Sequence, residues 1–121
     1  MVIFDSNIFI YFANGTLDRS LVGTIDVGYA SITRIETLGF TNITAQEQGY
    51  LKVMLDGWAS LALNDTIIER AVSLRQMRKM GLGDAIVAAT ALENNCELWT
   101  ANTKDFEHIE GLKLHNPLAN S

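Results

Sequence analysis

The sequence is poor in cysteine, proline and long hydrophobic runs. Its single cysteine, Cys96, cannot form an internal disulfide, which favours a reducing compartment. No apolar run approaches the ~18–20 residues of a membrane helix, and the first residues, MVIFD, lack the basic flank and long apolar stretch of a signal peptide. One proline, with no Ser/Gly-rich linker and no repeat, gives no domain boundary. These features predict one cytoplasmic domain over residues 1–121 with no membrane segment.

Positive charge is also scarce. There are 9 Lys and Arg against 14 Asp and Glu, a formal net charge of −5. This balance argues against non-specific nucleic-acid binding, which usually leaves a basic footprint. Four basic residues nevertheless lie close together just before Asp84, namely Arg70, Arg75, Arg78 and Lys79. Two interpretations stay open for them, a guide for a nucleic-acid backbone and a solvated helix face.

Hydrophobic patterning predicts an α/β fold. Short apolar runs predict strands at residues 2–4, 29–32, 61–63, 97–100 and 112–114. Helices are predicted after a Ser6-Asn7 cap, from near Thr33, and over residues 46–58, 66–79 and 84–94. Thr-x-x-Glu motifs at residues 33–36 and 66–69 spell capping boxes. Strands that alternate with helices predict a parallel sheet covered on both faces.

Four carboxylates lie near strand ends or helix starts. Asp5 directly follows a predicted strand, where ligands bind in parallel sheets, although it could equally cap the next helix. Asp84 opens an alanine-rich helix after Gly81-Leu82-Gly83, where the helix dipole alone favours an acid but the glycines also permit close approach of another group.

The other two acids have stronger structural alternatives. Glu36 could simply complete the capping box with Thr33, and Asp105, just past a predicted strand, could be a turn residue. If all four acids converge on one rim of the sheet, their repulsion calls for a cation. Carboxylate oxygens suit Mg²⁺ or Mn²⁺. His108 and His115 are predicted to be surface residues, and Cys96 a small buried residue and not a nucleophile.

Four segments in order resemble the PIN-domain ribonucleases, in particular the small VapC-type toxins of toxin–antitoxin pairs. They are VIFDSNIFI at residues 2–10, SITRIETLG at 31–39, GDAIVAATAL at 83–92 and LWTANTKDF at 98–106. The sequence departs from the family pattern at Ala101, where a larger and often polar residue is common, and in the short segment 15–28.

The resemblance implies a PIN-like three-layer α/β/α domain with a mainly parallel sheet of four to five short strands. It implies that Asp5, Glu36, Asp84 and Asp105 form the acidic metal site, and that Ser6, Thr100 and Asn102 support the metal or the scissile phosphate. It also implies a homodimer, an RNA substrate and an antitoxin protein as partner. The expected activity is Mg²⁺- or Mn²⁺-dependent hydrolysis of RNA phosphodiesters, with Arg75, Arg78 and Lys79 as candidate contacts to the RNA backbone.

A catalytically silent PIN domain that serves as a binding or dimerisation module is the alternative. A receiver-like signalling domain fits less well, because neither Asp56 nor Asp65 fits the place of its phosphoacceptor.

Overall fold

A five-stranded parallel sheet forms the centre of the domain. In the computed structural model, which describes residues 1–119, the strands are β1 (Val2–Phe4), β2 (Val27–Ala30), β3 (Ala59–Leu61), β4 (Glu97–Trp99) and β5 (Leu114–His115). Their order across the sheet is β3-β2-β1-β4-β5, and every neighbouring pair is parallel. The last two residues of the predicted domain, 120 and 121, lie outside the described residues.

Helices connect the strands and cover both faces of the sheet. They are α1 (Ser6–Ala13), α2 (Ile32–Leu38), α3 (Ala45–Gly57), α4 (Asp65–Met77) and α5 (Leu82–Glu93), with two short 3₁₀ turns at Arg19–Leu21 and Thr103–Asp105. The predicted three-layer α/β/α class with its parallel sheet is therefore confirmed. None of the helices within residues 1–119 has the length and apolar character needed to cross a membrane.

Alternating side chains of the strands build two separate cores. Ile3 and Leu98 pack on one face of the sheet against α4 and the buried alanines of α5. Phe4 and Trp99, the next residues along the same strands, pack on the other face with aromatic residues of α1. This alternation follows from the two-residue period of a strand. The central strands are thus fixed from both sides, and the polar residues that follow them emerge at one rim.

Several element boundaries differ from the sequence prediction. The strands predicted at 29–32 and 61–63 begin two residues earlier, because the fully buried run is 27–30 and its partner strand pairs from Ala59. The edge strand predicted at 112–114 lies instead at 114–115. The helix after β1 is capped by Asp5, whose carboxylate accepts a hydrogen bond from the Ile8 N–H, and not by the predicted Ser6-Asn7 pair.

The capping box predicted at residues 66–69 is wrong, and the box at 33–36, left open as the alternative for Glu36, does not form either. Helix α2 already begins at Ile32, so Thr33 lies inside its first turn and its buried hydroxyl has no hydrogen-bond partner within residues 1–119. Helix α4 is capped by Asn64, whose side chain accepts from the Ile67 N–H at 2.9 Å. In each case the helix starts before the threonine of the motif. The capping box that does form is at the start of α3, between Thr44 and Glu47.

Candidate active site

Asp5 lies at the centre of the rim formed by the carboxyl ends of the strands. Its backbone N–H donates to the Trp99 carbonyl at 3.1 Å, which continues the pairing of β1 with β4 by one residue. Its carboxylate accepts the Ile8 N–H at 3.0 Å and is 7% exposed. The two interpretations of Asp5 are therefore compatible, because one carboxylate oxygen caps α1 while the side chain still lines a cavity.

Glu36 reaches this cavity from the exposed side of α2. One of its carboxylate oxygens accepts a hydrogen bond from the Ser6 hydroxyl at 2.6 Å. The other oxygen lies against Gly83, at a position that a Cβ atom would occupy. The expectation that a glycine before Asp84 permits close approach of another group is confirmed at Gly83, and the group is the Glu36 carboxylate. The 30-residue separation of Ser6 and Glu36 makes this a tertiary contact and not a local cap.

Asp84 belongs to two neighbouring cavities. The first, which we call the acidic cavity, has a volume of about 240 Å³ and is lined by Asp5, Ser6, Asn7, Ile10, Glu36, Phe40, Asp84, Val87 and Asn102. The second, which we call the basic cavity, has a volume of about 300 Å³ and is lined by Arg78, Lys79, Met80, Gly81, Asp84, Lys104 and Asp105. Three of the four predicted acids thus share the acidic cavity. Asp105 lines only the basic cavity, next to Asp84.

Burial and mutual repulsion raise the pKa of two of these acids. Burial is the main cause of the raised pKa of Asp5, and repulsion by Asp84 and Glu36 adds to it. Hydrogen bonds from Thr100 and from the Ile8 N–H act in the opposite direction. Burial also raises the pKa of Asp84, with further contributions from Asp105 and Glu36. Ionisation of Asp5 and of Asp84 is therefore unfavourable in the folded chain.

The donor atoms suit a hard divalent cation. Carboxylate, hydroxyl and amide oxygens line the acidic cavity, and this oxygen chemistry matches Mg²⁺ or Mn²⁺. Within residues 1–119, no three Asp, Glu, His or Cys side chains stand close enough together to enclose a metal ion. Mg²⁺ typically takes one or two carboxylates and retains water at its other positions. The residues therefore fit a two-carboxylate, water-rich site, and they do not fit a closed protein cage.

The polar residues predicted to support the site take different places. Ser6 and Asn102 line the acidic cavity. Thr100 is fully buried, accepts the Asn102 N–H at 3.0 Å and stabilises the ionised form of Asp5. Thr100 therefore acts on Asp5 and is not among the residues that line either cavity.

The predicted basic residues divide between two surfaces. Arg78 and Lys79 line the basic cavity. Arg75 instead donates from Nε to the Met80 carbonyl at 3.2 Å and borders an apolar groove between α4 and α5. Arg70 forms an ion pair with Glu93. Sequence reasoning missed Lys104, which joins the basic cavity from the 3₁₀ turn that follows β4.

Neither histidine lines the acidic or the basic cavity. His115 is exposed, as predicted, and packs edge-on against Trp99 with ring centroids 4.7 Å apart. His108 is half-buried, so the prediction of a surface residue is wrong for it, and neither ring nitrogen has a partner within the described residues. Cys96 is half-buried, and burial raises the pKa of its thiol, which favours the unreactive protonated form.

Comparison with known proteins agrees with this architecture. A family model described as "PIN domain" matches residues 2–112. A chain of a toxin–antitoxin complex from Klebsiella pneumoniae is 30% identical, with 97% of this chain and 98% of that chain covered and a TM-score of 0.76. No curated protein matches the sequence significantly.

Two further solved structures share the fold at lower identity. A chain of VapBC2 from Rickettsia felis, bound to a promoter DNA fragment, is 23% identical, with coverage of 96% and 98% and a TM-score of 0.79. A chain of VapBC-1 from nontypeable Haemophilus influenzae is also 23% identical, with the same coverage and a TM-score of 0.77.

Proposed function

This chain belongs to the PIN-domain family, and we propose that residues 1–121 form a single metal-dependent endoribonuclease domain that hydrolyses RNA at the acidic cavity. One observation carries the proposal. Asp5, Glu36 and Asp84 arrive from three different elements at one cavity, and Asp105 adjoins it through Asp84. Such convergence of acids is unfavourable for the fold, as the raised pKa values of Asp5 and Asp84 indicate. A divalent cation removes this cost.

Asp5 and Asp84 are the proposed metal ligands. The Asp5 carboxylate is held by the α1 cap and by Thr100, whereas Asp84 is positioned through its backbone in the first turn of α5. Asp105 supplements them from the far side of Asp84. Bound Mg²⁺ or Mn²⁺ would supply an acidified water and neutralise charge that develops on the phosphodiester.

Glu36 is the proposed proton acceptor. It is exposed, so its carboxylate can exchange protons with solvent, and the Ser6 hydroxyl fixes one of its oxygens. In this position it can take the proton of a water that attacks the phosphorus in line. Asn102, on the same cavity, can donate to a phosphate oxygen. Attack by water that breaks the P–O3′ bond leaves a 5′-phosphate, and the released 3′-oxygen takes a proton from solvent to become a 3′-hydroxyl. No 2′,3′-cyclic phosphate forms, since the RNA 2′-hydroxyl takes no part.

The substrate is proposed to be single-stranded or looped RNA. The acidic cavity, at about 240 Å³, is smaller than typical pockets for small molecules, so only a locally exposed stretch of backbone can enter it. Arg78, Lys79 and Lys104 in the neighbouring basic cavity can bind the phosphates that flank the scissile one. A local basic cavity thus answers the objection that the net charge of the chain is −5.

We further propose that the protein is the toxin of a toxin–antitoxin pair, that it acts in the cytoplasm, and that it forms a homodimer with an antitoxin protein as its partner. The support is the similarity to chains of toxin–antitoxin complexes. Co-purification with the product of a neighbouring short gene, and a solution mass near twice 13.4 kDa for the chain alone, would support these two associations.

An RNA cleavage assay with and without Mg²⁺ or Mn²⁺ tests the activity. We expect the native chain to cleave, and Asp5→Asn and Asp84→Asn to lose cleavage together with metal affinity measured by calorimetry. Asp65→Asn is the matched control, because Asp65 is exposed at the start of α4 and lines neither cavity. Equal cleavage by all four proteins, or products that carry a 2′,3′-cyclic phosphate, would refute the mechanism.

The silent-module alternative is favoured by one observation, the absence of a preassembled metal-binding cluster within residues 1–119. It predicts a folded chain that cleaves no RNA at any metal concentration and binds Mg²⁺ no better than Asp84→Asn does. The two functions are therefore separated by the calorimetric measurement as well as by the assay.

A further inference from the structure

An exposed aromatic ring stands at the edge of the acidic cavity. Phe40 lines this cavity together with Glu36 and Ser6, yet it is 56% exposed. The other four phenylalanines of the chain are nearly or fully buried. An exposed phenylalanine forgoes the stabilisation that burial of its side chain would give. Phe40 also lines a small apolar cavity with Ile43 and Leu51, and its exposed part is open to a ligand beside the acidic cavity.

The backbone holds Phe40 firmly in this place. Its N–H donates to the Thr37 carbonyl at 3.4 Å, and its own carbonyl accepts the Ile43 N–H at 3.2 Å. The preceding residue, Gly39, ends α2 so tightly that a Cβ atom there would meet the Ile35 carbonyl. The chain thus turns sharply after α2, and the turn places the backbone of Phe40 beside the acidic cavity. An exposed ring on a hydrogen-bonded turn is open to a flat ligand.

We infer that Phe40 is a substrate-positioning residue, on which an unpaired base of the RNA stacks while the adjoining phosphodiester enters the acidic cavity. This inference rests on the proposed function. The cavity walls are anionic and repel a polynucleotide where no bound cation offsets their charge, so a contact that does not depend on charge adds affinity on this side. Stacking of a base on an aromatic ring supplies such a contact and tolerates every base, because each has a π-face.

The placement gives the RNA a direction across the site. Phe40 lines the acidic cavity and not the basic cavity, and Asp84 is the one residue that lines both. A base on Phe40 and flanking phosphates on Lys79 and Lys104 would place the intervening phosphodiester over Asp84. Positioning therefore uses an apolar contact at one end and charge at the other.

The test measures binding of short single-stranded RNA to Phe40 variants. Phe40→Leu retains apolar volume without a π-face, and Phe40→Trp retains the π-face. Ile35→Ala is the control, because Ile35 is an apolar residue of α2 with 73% exposure that does not line the acidic cavity. Binding is followed by fluorescence anisotropy in a common Asp5→Asn background, which prevents cleavage, and each RNA position is replaced in turn by an abasic nucleotide.

Phe40→Leu is expected to weaken binding of intact RNA about fivefold or more, the low end of the stacking contribution. Phe40→Trp and Ile35→Ala should bind normally. The loss should vanish at one abasic position, where no base remains to stack. Unchanged binding by Phe40→Leu, or a loss that is the same at every abasic position, would overturn the inference.

Two further outcomes separate this inference from the proposed function. If the coupling to one abasic position is found but the native chain cleaves no RNA, the nuclease proposal fails and the stacking role stands. If Phe40→Leu and Ile35→Ala both leave RNA binding intact and both reduce self-association of the chain, the exposed ring is a protein contact and the stacking role is refuted.

Discussion

Two substitutions at Asp5 separate the charge of its carboxylate from its role as a helix cap. Asp5→Asn removes the charge but keeps an oxygen that can accept the Ile8 N–H, and asparagine is as good an N-cap as aspartate. Asp5→Ala removes both. The difference between the two variants therefore measures the cap, and the difference between Asp5→Asn and the native chain measures the buried charge.

The cap sets the first magnitude. Replacement of an N-cap side chain by alanine costs about 1 kcal/mol. For a chain of 121 residues this corresponds to a fall in Tm of about 3–5 °C for Asp5→Ala relative to Asp5→Asn. The loss should be nearly independent of pH, because neither variant carries an ionisable group at this position.

The charge sets the second, pH-dependent difference. Burial raises the pKa of Asp5 in the folded chain, so the unfolded chain releases this proton at a lower pH than the folded chain does. The ionised carboxylate thus destabilises the fold as the pH rises from about 3.8 through the raised pKa, and this cost persists at neutral pH. Asp5→Asn is free of it. Without metal, this variant should therefore be more stable than the native chain at pH 7, and the advantage should shrink toward pH 4.

Thermal unfolding followed by circular dichroism in EDTA, from pH 4 to pH 7, measures both differences. Addition of Mg²⁺ should then raise the Tm of the native chain alone, because only a chain that binds the ion is stabilised by it. Equal Tm values for Asp5→Asn and Asp5→Ala would refute the cap, and a gap between Asp5→Asn and the native chain that is constant over pH would refute the buried charge.

Three further predictions concern single contacts. Gly83→Ala should displace the Glu36 carboxylate from its bond with Ser6 and lower kcat at least tenfold with little change in Tm, and an unchanged kcat would contradict this placement. Lys104→Ala should reduce the salt slope of RNA binding by about one, whereas Arg75→Ala should leave it unchanged, which titrations at several salt concentrations would check. Thr44→Ala should lower the free energy of unfolding by about 1 kcal/mol, measured in urea. Thr66→Ala should have almost no effect, because Thr66 does not cap α4.

Local sequence signals predicted the sheet well. The strand at 2–4 is a continuous apolar run with an acid directly after it, and the strand at 97–99 ends in the buried pair Leu98-Trp99 with the polar Thr100 directly after it. The parallel arrangement followed from the helices between the strands. Helix starts were predicted less well, because Asn64 competes with Thr66 for the same cap and lies only two residues earlier. A motif shows that a cap can form, but here the Asn64 side chain takes the N–H of the buried residue Ile67, so the helix begins before Thr66.

The site was only partly accessible from the sequence. Asp5 and Asp84 stand at strand and helix ends, and topology rules place such residues at one rim. The bond between Ser6 and Glu36 joins elements that are distant in the chain, so no local pattern contains it. The basic helix flank likewise gave no sign that Arg75 turns toward the groove between α4 and α5, because both orientations satisfy the same periodicity.

The position of β1 between β2 and β4 has a consequence for synthesis on the ribosome. Asp5 is made before Trp99 and Thr100, which hold it in place through a backbone bond and a side-chain bond and follow α5 in the chain. The rim cannot assemble from a nascent chain that stops before β4, since the central strand would lack a neighbour. A chain that stops before β4 would therefore lack the proposed metal site, and under the proposed function it would cleave no RNA.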